Sequence, residues 1–259
     1  MSLRLIRRAV ALGFALITVI LRFWLLRLSG GLTSERRALW LQESSRRVLR
    51  SMNVECVVAG PIPVRGLVVA NHLSYLDIVV LCAAMPCSFV AKTEIRRWPY
   101  FGKAARAGGT LFLDRSSLAS AEKVSTAIGE RLKLPLPVVL FPEGTSTDGT
   151  MRKFHTRLFE PAVVAGAPVT AAAIRYVTSD GSPERELCWY GDESFGPHLL
   201  KTLRRPAFRG ELHFGEARVY GDRRTAASET FAEIAEMREK RGLEVGEQAI
   251  SDQDSGRAG

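Results

Sequence analysis

Cysteine and histidine are both scarce in this chain, and most of what is present has no partner in the sequence. The four cysteines among 259 residues, Cys56, Cys82, Cys87 and Cys188, include no C-x-x-C pair. Cys82 and Cys87 alone do not make a metal site, so free thiols in a reducing cytosol are the expectation. Of the four histidines, His155, His198 and His213 have no acid at a useful spacing, which leaves them as surface or core residues. His155 is worth testing because it follows a chemistry-bearing turn described below. There is no internal repeat and no low-complexity linker, so the length is that of one sizeable α/β domain with appendages, or at most two small ones.

Lysine is missing from the first 52 residues, and acids nearly so. That stretch holds ten arginines, no lysine and only Glu35 and Glu43, a net +8. The formal charge of the whole chain is +9, so the other 207 residues carry only +1. Basic character alone is compatible with nucleic acid, an acidic protein or an anionic membrane. No nucleic-acid module is recognisable, and the basic stretch is also the most apolar part of the chain, which favours lipid. A long uncharged run is absent too. Ala9 to Leu21 is 13 residues, short of the ~20 needed for a span, although Ala9 to Leu26 could cross if Arg22 snorkels. No convincing small-x-small cleavage site follows Leu21, and the basic segment beyond it would be an odd mature N-terminus. A membrane anchor or interfacial helix is therefore expected, with a signal peptide or a buried helix as rivals. Ser34 to Met52 reads as a basic amphipathic helix, lying on an anionic bilayer or packing on the domain.

From residue 53 the pattern changes to short apolar runs alternating with helical segments. The strand candidates are 54–58, 67–70, 88–91, 110–113, 137–141, 169–174, 186–190 and 211–214. Leu118 to Leu132 places Val124, Ile128 and Leu132 at helical spacing, and 225–241 is a capped helix with early acids. Such alternation predicts an α/β fold with a mixed, largely parallel sheet flanked by helices. The expected organisation is an N-terminal membrane-associated segment over 1–52, an α/β domain over 53–241, and a disordered tail over 242–259. Functional residues then belong in the loops that follow the strands' carboxyl ends.

Three such loops carry chemistry. After Leu67 to Ala70 comes Asn-His-Leu-Ser-Tyr-Leu-Asp, with His72 five residues before Asp77. In a regular helix five residues turn about 500°, leaving the two side chains some 140° apart. If His72 sits in the turn leaving the strand and Asp77 lies one turn into a helix starting near Ser74, they can converge. An imidazole takes and returns a proton near neutral pH, and a neighbouring acid orients it. Gly-Thr-Leu-Phe-Leu-Asp-Arg ends a strand with Arg115, a planar cation suited to a phosphate. Phe-Pro-Glu-Gly-Thr-Ser, 141 to 146, puts Glu143 and Gly144 in a tight turn. Taken one at a time, each has an ordinary structural explanation: a capping histidine, a surface arginine, a β-turn.

Together and in this order, NHLSYLD, GTLFLDR and FPEGTS resemble the N-H-x-x-x-x-D, G-x-x-F-x-x-R and F-P-E-G-T blocks of the bacterial 1-acylglycerol-3-phosphate acyltransferases and the wider glycerolipid acyltransferase superfamily. The resemblance runs from about Leu67 to Ile174. It implies transfer of a fatty acyl group from a thioester of acyl carrier protein or coenzyme A to the free hydroxyl of a lysolipid, most simply the sn-2 hydroxyl of 1-acylglycerol-3-phosphate. His72 would be the general base and Asp77 its orienting acid. Arg115, Glu143, Gly144 and Thr145 would contact the acceptor. Lys92 is a candidate for the oxyanion or the head group, and Asn71 for shaping the loop. The resemblance implies no metal or organic cofactor, an anionic membrane and no nucleic acid as partners, and the cytoplasmic face of the inner membrane as location.

Two departures bear on the acceptor. Ser146 stands where the family often has arginine, with Arg152 and Lys153 close behind as possible substitutes, and Ala171 stands where a second proline usually falls. A lyso-ornithine lipid or another lysolipid is then an alternative acceptor. A non-catalytic membrane-binding protein on the same scaffold is the alternative of a different class, against which the intact His72, Asp77, Arg115 and Glu143 argue.

Overall fold

The computed structural model describes residues 3–93, 96, 101–113 and 118–240. In chain order its elements are α1 (Leu3–Leu28), α2 (Ser34–Met52), β1 (Val54–Ala59), β2 (Leu67–Ala70), α3 (Leu76–Ala84), β3 (Ser88–Lys92), α4 (Phe101–Ala107) and β4 (Leu111–Leu113). There follow α5 (Leu118–Leu132), β5 (Val138–Leu140), α6 (Glu160–Val164), β6 (Val169–Thr178), α7 (Phe195–Arg204), β7 (Phe208–Phe214) and α8 (Arg223–Glu239). The expected tail over 242–259 lies outside the described residues.

Among the described residues seven strands form one sheet in the order β1-β7-β6-β2-β5-β3-β4. Every pairing is parallel except that of β6 with β7. The sheet is thus mixed and mostly parallel, as the alternation of strand and helix required. β2 lies at its centre, between β5 and β6, and its four residues are fully buried. That is why Leu67 to Ala70 reads as a continuous apolar run. Its side chains still divide by the two-residue period. Val68 and Ala70 join the core shared with α1, α2, α3 and α7, while Leu67 and Val69 join the core shared with α5, α6 and α8. Gly66, at φ +86°, brings the chain into β2, and a Cβ there would lie 2.3 Å from the Pro168 carbonyl oxygen. Only glycine fits that entry.

One predicted strand is not formed. Residues 186–190 were expected to add a strand, but Glu184–Glu186 is a short 3-10 helix and the chain then runs irregularly. Leu187 and Cys188 are buried because they plug the core beneath α3, and Trp189 N–H donates to the Leu73 carbonyl at 2.8 Å instead of to a ladder. Apolarity was read correctly as burial and wrongly as a strand, an ambiguity that short apolar runs carry. The last helix also begins earlier than expected. Asp222 caps it, accepting from the N–H groups of Arg224 and Thr225, and no acid lies in its first turn.

The N-terminal helices belong to the domain's outer layer. The apolar side of α2 packs against α3, and Gln42 and Arg46 donate to the Ala83 and Ala84 carbonyls at the end of α3. Those carbonyls would otherwise lack partners. α1 is held at both ends by the same domain. Near its start Leu5 and Arg8 are buried, and Arg8 Nη1 donates to the carbonyls of Leu203 and Arg205 at the end of α7. Near its finish Trp40 Nε1 donates to the Val19 carbonyl, Phe23 packs on the Trp40 ring and Arg22 pairs with Glu43. The opposite side of α1 exposes Val10, Phe14, Ile17, Leu21, Trp24 and Leu28, spaced at three and four residues so that they form one stripe.

The sheet continues past β2 through a side chain. Asn71, 1% exposed, accepts from Ile174 N–H at 2.7 Å and donates to the Ile174 carbonyl at 3.1 Å, reproducing one rung of a β ladder. Replacing it, Asn71→Ala, orphans a buried N–H at the centre of the sheet. The expected loss is about 1–3 kcal/mol of stability, measured by urea unfolding of the detergent-solubilised protein, and an unchanged midpoint would contradict the ladder role.

Candidate active site

The order β6-β2-β5 brings the ends of three strands together at one edge of the sheet, and His72 leaves the middle one. The backbone from Asn71 to Tyr75 is irregular, and α3 begins at Leu76, so Asp77 lies in its first turn. The two side chains therefore escape the 140° separation of a continuous helix. His72 Nδ1 and Asp77 Oδ2 are 2.7 Å apart. Asp77 is fully buried, whereas the His72 side chain keeps 19% of its surface.

Asp77 is held by more than the histidine. Its Oδ2 also accepts from the N–H groups of Leu73 at 2.6 Å and Ser74 at 2.9 Å. Those N–H groups belong to the irregular segment just before α3, so the carboxylate closes the loop on itself. Its Oδ1 accepts from the Tyr176 hydroxyl at 2.6 Å. A carboxylate receiving donors on both oxygens faces His72 as an acceptor, so Nδ1 carries the hydrogen and Nε2 is left with a lone pair. The imidazole is fixed in plane as well. The Phe141 ring stacks on it with centroids 4.0 Å apart and 13° between planes.

The turn after β5 is bolted to the histidine loop by Glu143, which is 4% exposed. Oε1 accepts from His72 N–H at 2.9 Å and Oε2 from Arg152 N–H at 2.8 Å. Burial raises the Glu143 carboxyl above the usual carboxylate range, against the pull of these two N–H groups and of His72. The His72 carbonyl is tied back in turn, accepting from Thr147 N–H at 2.9 Å and from its hydroxyl at 3.3 Å. Gly144 sits at φ +75° between them, which gives the turn its reversal. Ser146 Oγ donates to the Trp189 carbonyl at 2.5 Å, and Trp189 in turn grips the Leu73 carbonyl.

His72, Asp77, Glu143, Gly144 and Asn71 therefore converge. Both oxygens of Glu143, expected at the acceptor, engage backbone N–H groups. Thr145 is exposed at the turn, and Arg152 and Lys153 are exposed beyond it. Lys92 ends β3, pairing with Leu113, and its side chain lies outside the description. Arg115 lies outside the described residues. His198 is a core histidine: it is fully buried, with Nδ1 3.1 Å from the Tyr75 hydroxyl, and burial lowers it from the ordinary histidine range. His155 is exposed. Among the described residues no cluster of His, Cys, Asp and Glu could hold a metal ion. Tyr176 is the participant that sequence reasoning missed. The predicted strand stopped at Ile174, but the two-residue period of Ala172 and Ile174, carried one step further, points Tyr176 at α3.

A buried acid behind a histidine on the loop after a central parallel strand, clamped to a Phe-Pro-Glu-Gly-Thr turn, marks an α/β acyltransferase. Residues 53–175 match the family model described as Acyltransferase. The chain is 36% identical over 203 residues to the lyso-ornithine lipid O-acyltransferase of Rhizobium meliloti, covering 69% of this chain and 70% of that one. It belongs to the glycerolipid acyltransferase family. It is also 37% identical over 169 residues to the lyso-ornithine lipid O-acyltransferase of Pseudomonas aeruginosa, 64% of each chain. A 1-acyl-sn-glycerol-3-phosphate acyltransferase of Neisseria meningitidis is 38% identical over 143 residues, 54% of this chain and 56% of that one. The chain thus spans less than two thirds of the length of these last two relatives. The crystal structure of the 1-acyl-sn-glycerophosphate acyltransferase PlsC from Thermotoga maritima has the same fold, with a TM-score of 0.63 at 19% identity, over 93% of this chain and all of that one.

Glu143→Gln separates positioning from acceptor binding. One of the two backbone donors then faces an amide NH2, so stability falls by about 1–2 kcal/mol. Activity falls through kcat, with the acceptor KM little changed, because His72 is what shifts. Steady-state kinetics on a lysolipid series reads this out, and a rise in KM at constant kcat would restore Glu143 to the acceptor.

Proposed function

We propose that this protein transfers a fatty acyl group from a thioester of acyl carrier protein or coenzyme A to the free hydroxyl of a lysolipid. The observation that carries the reading is the 2.7 Å contact of His72 Nδ1 with the buried Asp77, which leaves Nε2 as the proton acceptor on the exposed side of the ring. The lysolipid hydroxyl oxygen attacks the thioester carbonyl carbon while its proton passes to Nε2. The tetrahedral intermediate then expels the thiolate, which takes that proton back, leaving ester and free thiol. Asp77 holds the imidazolium formed in between. The balance needs no protein nucleophile and no organic cofactor.

Two acceptors fit. The first is 1-acylglycerol-3-phosphate, acylated at its sn-2 hydroxyl, with Arg115 on the phosphate and Gly144, Thr145 and Lys92 around the head group. The second, a lyso-ornithine lipid, is favoured by the turn itself. Residues 142–151 contain no cation, Ser146 is committed to the Trp189 carbonyl, and Asp148 is a second acid in the same segment. An amine-bearing head group suits that charge better than a phosphate does. The relatives named above include enzymes of both kinds.

The reaction belongs at a membrane surface, on the cytoplasmic face where acyl thioesters are found. α1 has the length and composition of a spanning helix, with a mean hydropathy of 2.3 in its most apolar window. Both of its ends nevertheless pack on one domain, so its two ends cannot lie on opposite sides of a bilayer while those contacts hold. An interfacial seat suits the geometry, with the stripe from Val10 to Leu28 in the acyl region and the exposed Arg4, Arg7 and Arg27 near anionic head groups.

Thiol release from acyl thioesters with a panel of lysolipids tests the chemistry. His72→Ala is expected to lose a factor of about 10²–10⁴ in turnover. Full activity in that variant, or no turnover with any lysolipid, overturns the proposal. The membrane seat is tested separately by flotation with anionic vesicles. Ile17→Glu with Leu21→Glu should abolish binding, and salt should weaken binding of the wild type; a double variant that still floats rules out the stripe.

A further inference from the structure

Tyr176 stands behind the acid of the pair, on the side away from His72. Of the two oxygens of Asp77, Oδ2 already takes His72 and two backbone N–H groups. The other, Oδ1, takes the Tyr176 hydroxyl at 2.6 Å. Asp77 is fully buried and Tyr176 3% exposed. A carboxylate buried this way must have both oxygens occupied, and how they are occupied sets how much charge is left to face the imidazole.

The tyrosine is built into place from three sides. On β6 it follows Ile174 on the face toward α3, and the Phe208 ring meets it edge-on with centroids 6.1 Å apart. At Gly210 a Cβ would lie 2.9 Å from Val80 Cγ2 and 3.5 Å from Tyr176 Cε1, so the glycine leaves room for the ring beside α3. Its backbone is anchored as well. Tyr176 N–H donates to Glu184 Oε1 at 2.8 Å, and Glu184 Oε2 pairs with Arg238 Nη2 at 2.8 Å. Arg238 reaches from α8 to the Ile174 and Gly149 carbonyls, linking the tyrosine's strand to the turn after β5.

Resting on the acyl-transfer reading, we propose that Tyr176 is a positioning residue for the His72–Asp77 pair, its hydroxyl fixing the carboxylate's orientation and limiting the strength with which Asp77 holds the imidazolium. The ionisable groups around the tyrosine are Asp77, Cys188 and Glu184, with Arg238 beyond Glu184; around His72 they are Asp77 and Glu143. Burial first, and then Asp77, push the tyrosine hydroxyl far above its ordinary range, so it remains a protonated donor wherever the enzyme would work. The sign of its effect follows. A donor on Oδ1 draws negative charge away from His72. Removing it strengthens the attraction of Asp77 for the imidazolium, so His72 holds its proton to higher pH and less free base is present near neutrality. A tyrosine that merely filled space would lower stability or turnover at every pH alike.

The test is an NMR titration of the imidazole resonances of the full chain in detergent micelles, with His72→Gln assigning the signal. Tyr176→Phe should raise the titration midpoint of His72 by about half a unit to one unit, and the acid limb of the kcat/KM profile should move with it at nearly constant acceptor KM. Site-specific 3-fluorotyrosine at 176, nearly isosteric and a stronger donor, should lower the midpoint, and it covers the case in which Tyr176→Phe does not fold. A midpoint unmoved by both replacements overturns the role. The titration needs no turnover: a moved midpoint without acylation would overturn only the acyl-transfer reading, and acylation with an unmoved midpoint only the role of Tyr176.

Discussion

The carboxylate of Asp77 is the group on which the rest of the site depends. It is fully buried, and a buried charge persists only when its lone pairs are taken up. Every donor it has found is a structural commitment: the loop after β2 through His72, Leu73 and Ser74, and the strand β6 through Tyr176. The loop that leads from β2 into α3 and a strand about a hundred residues further on are joined at one acid. Four donors on one carboxylate hold the irregular loop in place without a helix or ladder of its own.

A second carboxylate, Glu143, does for the backbone what Asp77 does for the imidazole. By accepting N–H groups from both His72 and the segment after the turn, it fixes the approach of the β5 loop to the β2 loop. The glycine and proline around it set the turn's shape, and the glutamate sets its position. The motif is therefore a fastening between two loops. The same layer that carries α3 carries α1 and α2 on its outside, so the apolar stripe of α1 and the histidine loop are built on one core. The proposed lipid seat and the candidate chemistry share a framework.

Much of this was legible in the residues. The strands at 54–58, 67–70, 88–91 and 211–214 and the helix at 118–132 carried their periods openly, because each buries one face or is buried on both. The run at 186–190 misled for the same reason: it is buried, and burial alone does not say whether the backbone is paired in a ladder. α2 was ambiguous between bilayer and domain because an apolar face does not name what covers it, and the packing of that face on α3 answers the question. Tyr176 stayed hidden because its strand was read four residues short, and because a tyrosine on a core face looks like packing until the acid opposite it is placed.

By itself the sequence determined the alternation that makes a mostly parallel sheet, the concentration of arginine and apolar residues at the start, and three blocks in an order too specific for chance. Those are properties of periodicity, composition and local turn chemistry, which act over a few residues. Only the tertiary structure decided that β2, β5 and β6 are neighbours, that His72 and Asp77 meet at hydrogen-bonding distance and that Tyr176 completes the acid. It also decided that Glu143 serves the backbone and that both ends of α1 rest on one domain. Those contacts join residues up to about two hundred positions apart, and nothing local encodes a distance that folding alone closes.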